Sequence, residues 1–310
     1  MPMSDNLRKL GNQISVALEL DDDGYIGREC PEPTCLGYFK ITPGTGLTTP
    51  TPCHCPYCGH TGEHSTFFTP EQIEYAKSVA MRKITDAIGK DLKAMEFEHR
   101  ASGPLGIGIS LKVTPSAPHP IQYYREKNLE TEVICTGCSL RFAIYGVFGW
   151  CPDCGVHNSL QILSKNLELV EKEVQLSTSV EPALAEHLIG DALENVVSAF
   201  DGFGREICLR RCVEVRFQNL VGARRKILEK FHFDFADDLD DSSWARVVQI
   251  FEKRHLLAHK MGVIDANYLE KANDPCAILG RRVRVTADEV SAAATFIEIL
   301  AKRLFSGLFD

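Results

Sequence analysis

Apolar residues recur along this chain with two different periods, and the change of period divides it. From about residue 180 onward they return every three or four positions. Leu184, Leu188, Ala192, Val196 and Phe200 mark one face of a helix over 183–211. Further helices are predicted over 216–231, over 243–261, and from Thr286 to about 304. Thr286 and Glu289 form a capping box for the last of these, and Asp241 and Ser242 are N-cap candidates for the one before. Residues 234–241 form an acidic loop. Four helices with short connections predict an all-α bundle.

The front half reads differently. Residues 1–20 suggest a short helix, with Leu7, Leu10, Ile14 and Leu18 near helical spacing. Thr69-Pro70 opens a long helix over 70–99, weakest at Gly89, with an apolar stripe of Ile73, Ala76, Val79, Ala80, Ile84, Ile88 and Leu92. Around it lie short β-like runs. Apolar alternation from Ile107 to Val113 predicts a strand, and 140–150 a tight hairpin. The Thr-, Pro- and Gly-rich stretch 42–52 is loop. Residues 164–180 are polar and mixed, which places a domain boundary there. The whole is an α+β multidomain chain: 1–100 with a long helix, 101–165 as a β segment, and 180–310 as a helical domain.

Twelve cysteines change the picture, because nine of them precede residue 155. No run approaches the ~18 apolar residues that span a membrane, and 1–20 has no signal-peptide core, so a cytoplasmic protein with no membrane contact is expected. That compartment keeps thiols reduced, so close cysteine pairs read as metal ligands. Cys135-Thr-Gly-Cys138 and Cys151-Pro-Asp-Cys154-Gly155 make one ribbon. Cys30-Pro-Glu-Pro-Thr-Cys35 and Cys55-Pro-Tyr-Cys58-Gly59 make another. A two-residue gap lets both thiolates turn onto one ion at about 2.3 Å. Two structural zinc ions are expected, closed to catalysis because no coordination position is left for water. Cys53, His54 and His60 are possible substitutes for a ligand of the first site. Phe148 and Trp150 pack against a knuckle or stack on bases, and Cys208 and Cys212 read as buried thiols.

The net charge of −8 argues against a protein that coats nucleic acid non-specifically. Small basic clusters at Arg210–Arg211, Arg224–Lys226 and Arg281–Arg284 are solvated faces or local phosphate contacts. The candidate chemistry lies in Lys253-Arg254-His255-Leu256-Leu257-Ala258-His259-Lys260. His255 and His259 sit one turn apart, and Arg254 lies roughly 140° from His259 around the axis. Three readings stand: a two-histidine metal site, which lacks the zincin glutamate; cations gathered at a helix C-terminus by its dipole; or a catalytic set.

Arg254 followed by a polar residue and by His259 resembles the signature of the HEPN superfamily of helical RNA-acting domains, over about residues 180–308. The resemblance implies a metal-independent endoribonuclease, with His259 as general acid or base at the ribose 2′-hydroxyl. Arg254 would stabilise the phosphorane and His255 would orient phosphate. The products would carry 2′,3′-cyclic phosphate ends. The resemblance also implies a homodimer, RNA as partner, and a toxin or phage-defence setting, with the ribbons recognising substrate or a regulatory protein. The alternative is a non-catalytic zinc adaptor that binds nucleic acid or protein, with the helical domain for dimerisation.

Overall fold

The computed structural model describes residues 5–49, 51–99, 109–114 and 116–309. It divides into two compact units, Met1–Val156 and His157–Asp310. Both cysteine ribbons lie in the first, although the sequence reading sets them in separate segments, 1–100 and 101–165.

The first unit contains α1 (Asp5–Lys9), β1 (Ile26–Glu29), β2 (Tyr38–Ile41), β3 (Cys53–His54), β4 (Thr61–Gly62), a 3₁₀ turn at His64–Phe67, α2 (Pro70–Lys93), β5 (Phe97–His99), β6 (Ile109–Leu111), β7 (Thr131–Ile134) and β8 (Arg141–Ile144). Two antiparallel hairpins, β1–β2 and β7–β8, join edge to edge through β2 and β8, giving the order β1-β2-β8-β7. The joining register pairs Lys40 with Ala143 and Ile41 with Phe142. Segment 140–150 is therefore not a hairpin of its own. Its first half is β8, and the hairpin turn is the knuckle Cys135–Cys138 between β7 and β8. Phe39, Phe142 and Ile144 are fully buried and form one core with Cys30, Cys55, Cys135 and Cys151.

Helix α2 starts where expected. The Thr69 hydroxyl accepts from Gln72 N at 3.2 Å and the Gln72 side chain accepts from Thr69 N at 3.2 Å, with Pro70 in the first turn. It ends at Lys93, runs straight through Gly89, and hands Phe97–His99 to a strand. Its buried face is not the apolar stripe. Gln72, Ser78, Ala87 and Asp91 are buried while Ile73, Ile88 and Leu92 are exposed. Polar partners explain this. The Gln72 amide donates to Gly27 O at 3.0 Å, Ser78 Oγ accepts from Gln122 N at 3.0 Å, and Asp91 accepts from Asn6 N and Leu7 N at the start of α1. A buried polar group must be bonded, and here each bond ties α2 to the chain around it. The strand expected from Ile107 begins outside the described residues, and β6 covers its Ile109–Leu111 part.

The second unit is helical: α3 (Ser159–Ser177), α4 (Pro182–Leu209), α5 (Leu220–Phe231), α6 (Asp241–Lys260), the short α7 (Ala266–Ala272) and α8 (Ala287–Phe309). Helix α3 replaces the expected boundary at 164–180. Its buried Leu163, Leu167, Val170 and Val174 keep helical spacing within a polar sequence, and they pack on the core shared with α4 and α8. Helix α5 begins at Leu220 because Asn219 caps it and Asp201 takes the N–H groups of Phe217 and Gln218. Asp240, not Asp241 or Ser242, caps α6 by accepting from Ser243 N at 2.7 Å. The Thr286–Glu289 capping box forms.

Two acid-sensitive groups lie in this unit. His157 is 2% exposed and stacks on Phe309 at 5.8 Å. Burial, then Arg210, lowers its pKa to about 3. Burial works to raise the Asp234 carboxyl, but the Arg224 fork at 2.6–2.9 Å and the Ala236 N–H hold it below the usual value. Both folded values are depressed. The His157 contribution is complete above about pH 6.5 and is lost as pH falls toward about 3. That of Asp234 goes only below about pH 4. The melting temperature of the helical unit, followed by far-UV circular dichroism, is expected to fall between pH 7 and 4. The slope from His157 is at most about 1.4 kcal/mol per pH unit. His157→Gln should flatten that limb, and an unchanged pH profile in this variant would contradict the assignment.

Candidate metal centres and the end of α6

Each candidate metal centre is built from two turns that bring backbone N–H groups and thiols to one point. In the N-terminal knuckles, Cys30 N donates to Gly37 O at 3.0 Å and Cys135 N to Leu140 O at 2.9 Å. The residue after the second cysteine is left-handed in both, Leu36 at φ 47° and Ser139 at φ 66°. In the C-terminal knuckles, Cys55 N donates to His60 O and Cys151 N to Val156 O, each at 2.8 Å. Gly59 and Gly155 follow at φ 74° and 68°, which a side chain would strain.

These turns gather Cys30, Cys35, Cys55 and Cys58 into one group and Cys135, Cys138, Cys151 and Cys154 into another, with all sulfurs of a group within 4.8 Å of one another. Cys30–Cys58 and Cys35–Cys55 are 3.6 and 3.7 Å apart, and Cys135–Cys154 and Cys138–Cys151 are each 3.5 Å apart. A tetrahedron with metal–sulfur bonds of about 2.3 Å has edges of about 3.8 Å, so the sulfurs already stand close to a four-thiolate shell. The two groups can hold two metal ions. They are the only such groups among the described residues.

The thiols are not alike. Burial pushes Cys30 and Cys151 up, and Cys55 and Cys138 up to about 12. Burial also works to raise Cys135 and Cys58, but backbone N–H groups of Cys138 and Gly137, and of His60, outweigh it and lower both. Each group therefore holds one thiol favoured as thiolate and two that burial keeps protonated, whose protons a bound cation would displace. Cys53, His54 and His60 stand outside the first group. Cys53 is buried in β3, and His60 faces Glu32 at 3.9 Å. Of the other singled-out thiols, Cys208 is buried and Cys212 exposed.

The end of α6 presents the other candidate set. Arg254 is 7% exposed, and its guanidinium grips Glu194 of α4, with Nε donating to Oε2 at 2.6 Å and Nη2 to Oε1. The preceding Lys253 donates to Glu289 of α8 at 2.6 Å. Adjacent residues about 100° apart on α6 thus pin it to two different helices. His255 and His259 lie on the opposite, exposed side with ring centroids 4.9 Å apart and planes at 60°. The structure brings the two imidazoles together and does not bring Arg254 to them. Met261 at φ 53° ends the helix, and Gly262 N donates to Leu256 O at 2.9 Å. The chain then pairs with 280–283 through Ile264 N to Arg281 O at 2.9 Å and Val283 N to Gly262 O at 2.8 Å. This places the backbone of Arg281 and Arg282 beside the end of α6, and both side chains are exposed. All three basic clusters are partly committed: Arg282 to Glu186 at 3.8 Å, Arg210 to Glu206, Arg211 to Leu308 O, and Arg224 to Asp234 and the Trp244 ring.

A cleft of roughly 580 Å³ runs between α4 and the end of α6, lined by Glu186, Asp191, Glu194, Ala258 and Arg282 among others. No described helix is long and apolar enough to cross a membrane. Compared with family models, curated proteins and solved structures, the chain matches none.

Proposed function

We propose that the chain is an RNA-directed protein. Its ribbon unit is stapled by two zinc ions and recognises substrate or a controlling partner, and its helical unit is of HEPN type and cleaves RNA. Four thiolates in a tetrahedral shell suit zinc, which accepts that geometry without a redox step. The reading rests on the paired, exposed imidazoles of His255 and His259 at the end of α6. Two imidazoles side by side supply a base and an acid. One takes the proton from the 2′-hydroxyl, whose oxygen then attacks the phosphorus, and the other protonates the departing 5′-oxygen. The products are a 2′,3′-cyclic phosphate and a 5′-hydroxyl. Arg254 is assigned a positioning role, since its fork already serves Glu194. Charge on the phosphorane falls to Arg281 or Arg282, whose backbone is tied to the end of α6. One such motif per chain makes a homodimer the expected form.

The Arg254–Glu194 pair itself favours a second reading, a non-catalytic zinc adaptor, because a neutralised guanidinium is poorly placed to bind phosphate. The two are separated by incubating mixed RNA with the protein in magnesium-free buffer, with chelator present only during the assay. Cleavage leaving cyclic phosphate ends, reduced about 10²–10⁴-fold in His259→Ala and in His255→Ala, is the expected result. RNA that survives equally with the parent protein and both variants leaves the adaptor.

A further inference from the structure

The two metal centres are not independent modules. A pseudo-twofold axis between β2 and β8 relates them. Phe39 and Phe142 follow Cys35 and Cys138 by the same spacing, Ile41 and Ile144 likewise, and both hairpins meet in one antiparallel register. The relation is reciprocal at the knuckles. His54, which precedes Cys55, donates its backbone N–H to Pro152 O of the other centre at 2.8 Å. Trp150, which precedes Cys151, donates to Pro56 O of the first at 2.9 Å. Their rings repeat the exchange. A Cβ on Gly155 would stand 3.1 Å from the His54 ring, and one on Gly59 would stand 3.4 Å from Trp150 Nε1. Each Cys-Pro-x-Cys-Gly turn is thus packed and hydrogen-bonded by the residue that leads into the other. Cysteines of both centres also share a single apolar core.

We infer that the two ions load as one cooperative unit, so that a chain holding a single ion is a minor species. When one centre is empty, nothing ties its two knuckles to a common point and its turn loosens. His54 or Trp150 then leaves the turn of the other centre, whose affinity falls. Linkage makes the effect mutual: the first ion prepares the site for the second by the same factor that the second stabilises the first. Independent equal sites would leave half of the chains with one ion at half-saturation. A coupling of about 80-fold, within the range usual between linked sites, lowers that share to about a tenth.

The inference rests on both cysteine groups binding metal, and the experiment distinguishes that premise from the coupling. Metal-free full-length protein is titrated with zinc and counted by native mass spectrometry, with cobalt absorption as a second readout. The expected result at one ion per chain is a mixture of empty and two-ion protein, with the one-ion form near a tenth. In Trp150→Ala, which keeps all eight thiols, the one-ion form should rise several-fold while two ions still bind at saturation. In Cys58→Ser the intact centre should bind its ion about 80-fold more weakly than it does in a parent chain whose other centre is filled. A parent protein with half of its chains singly loaded, or a Cys58→Ser variant whose intact centre binds as tightly as in the filled parent, overturns the coupling. A parent protein that takes up no ion overturns the metal reading instead.

Discussion

With no metal at its cysteine groups, the 310-residue chain is expected to lose the cooperative melting transition of the first unit and to keep that of the helical unit. The strands of the first unit are four residues or shorter. Four of its buried core residues are thiols of the candidate metal centres, Cys30, Cys55, Cys135 and Cys151. Apolar burial in so small a core rarely stabilises a fold by more than about 3–5 kcal/mol. Zinc in a four-ligand structural site contributes roughly 10–16 kcal/mol. The metal term exceeds the whole, so the empty unit should not hold its sheet. The helical unit has a core of its own, with Leu193, Val196, Phe200, Ile227, Ile250, Ile297 and Leu304 fully buried. Scanning calorimetry with and without a thiol-competing chelator, with zinc release followed by a chromophoric indicator, reads both transitions at once. Two unchanged transitions after verified metal loss would remove the structural role assigned to the thiol groups.

Phe200→Ala is expected to destabilise the helical unit by about 3–5 kcal/mol. Phe200 is fully buried on α4 and meets Phe217 edge-on at 5.2 Å, Phe203 at 6.3 Å and Phe235 at 6.4 Å. The loss combines the transfer of the ring with a cavity that its neighbours cannot fill. Gly204, one turn further, already lies so close to Phe217 that a Cβ there would stand 2.5 Å from the ring. A unit of this size should melt about 6–20 °C lower, since each kcal/mol is worth about 2–4 °C. Leu209→Ala, at a side chain 50% exposed on the same helix, should cost less than about 0.5 kcal/mol. Urea midpoints with an unchanged m value would measure both, and equal effects from the two substitutions would contradict the core described.

The cysteine groups of both candidate metal centres were legible because they depend on local chain geometry. Cys-Pro-Tyr-Cys-Gly and Cys-Pro-Asp-Cys-Gly carry their own turns, and spacing alone brings the two thiols of each pair to one point. The starts of α2 and α8 were legible for the same reason, since Thr69 with Gln72 and Thr286 with Glu289 bond within a single turn. Helix α3 was missed although Leu163, Leu167, Val170 and Val174 carry the helical period, because the polar residues between them masked it. The apolar stripe of α2 misled, since side-chain hydrogen bonds to Gly27, Gln122 and the start of α1, rather than hydropathy, choose its inner face.

Local order is thus what the chain states by itself: which cysteines form turns, where helices are capped, and that His255 and His259 share a face one turn apart. Only the folded structure decides which distant segments meet. It joins β2 to β8 across about a hundred residues of chain, so that two ribbons become one sheet and one core. It also sends Arg254 inward to Glu194 while both histidines face solvent. The physical reason is common to both. A spacing sets the direction of a side chain relative to its own helix or turn, whereas its partner depends on how two buried surfaces satisfy each other's packing and hydrogen bonds.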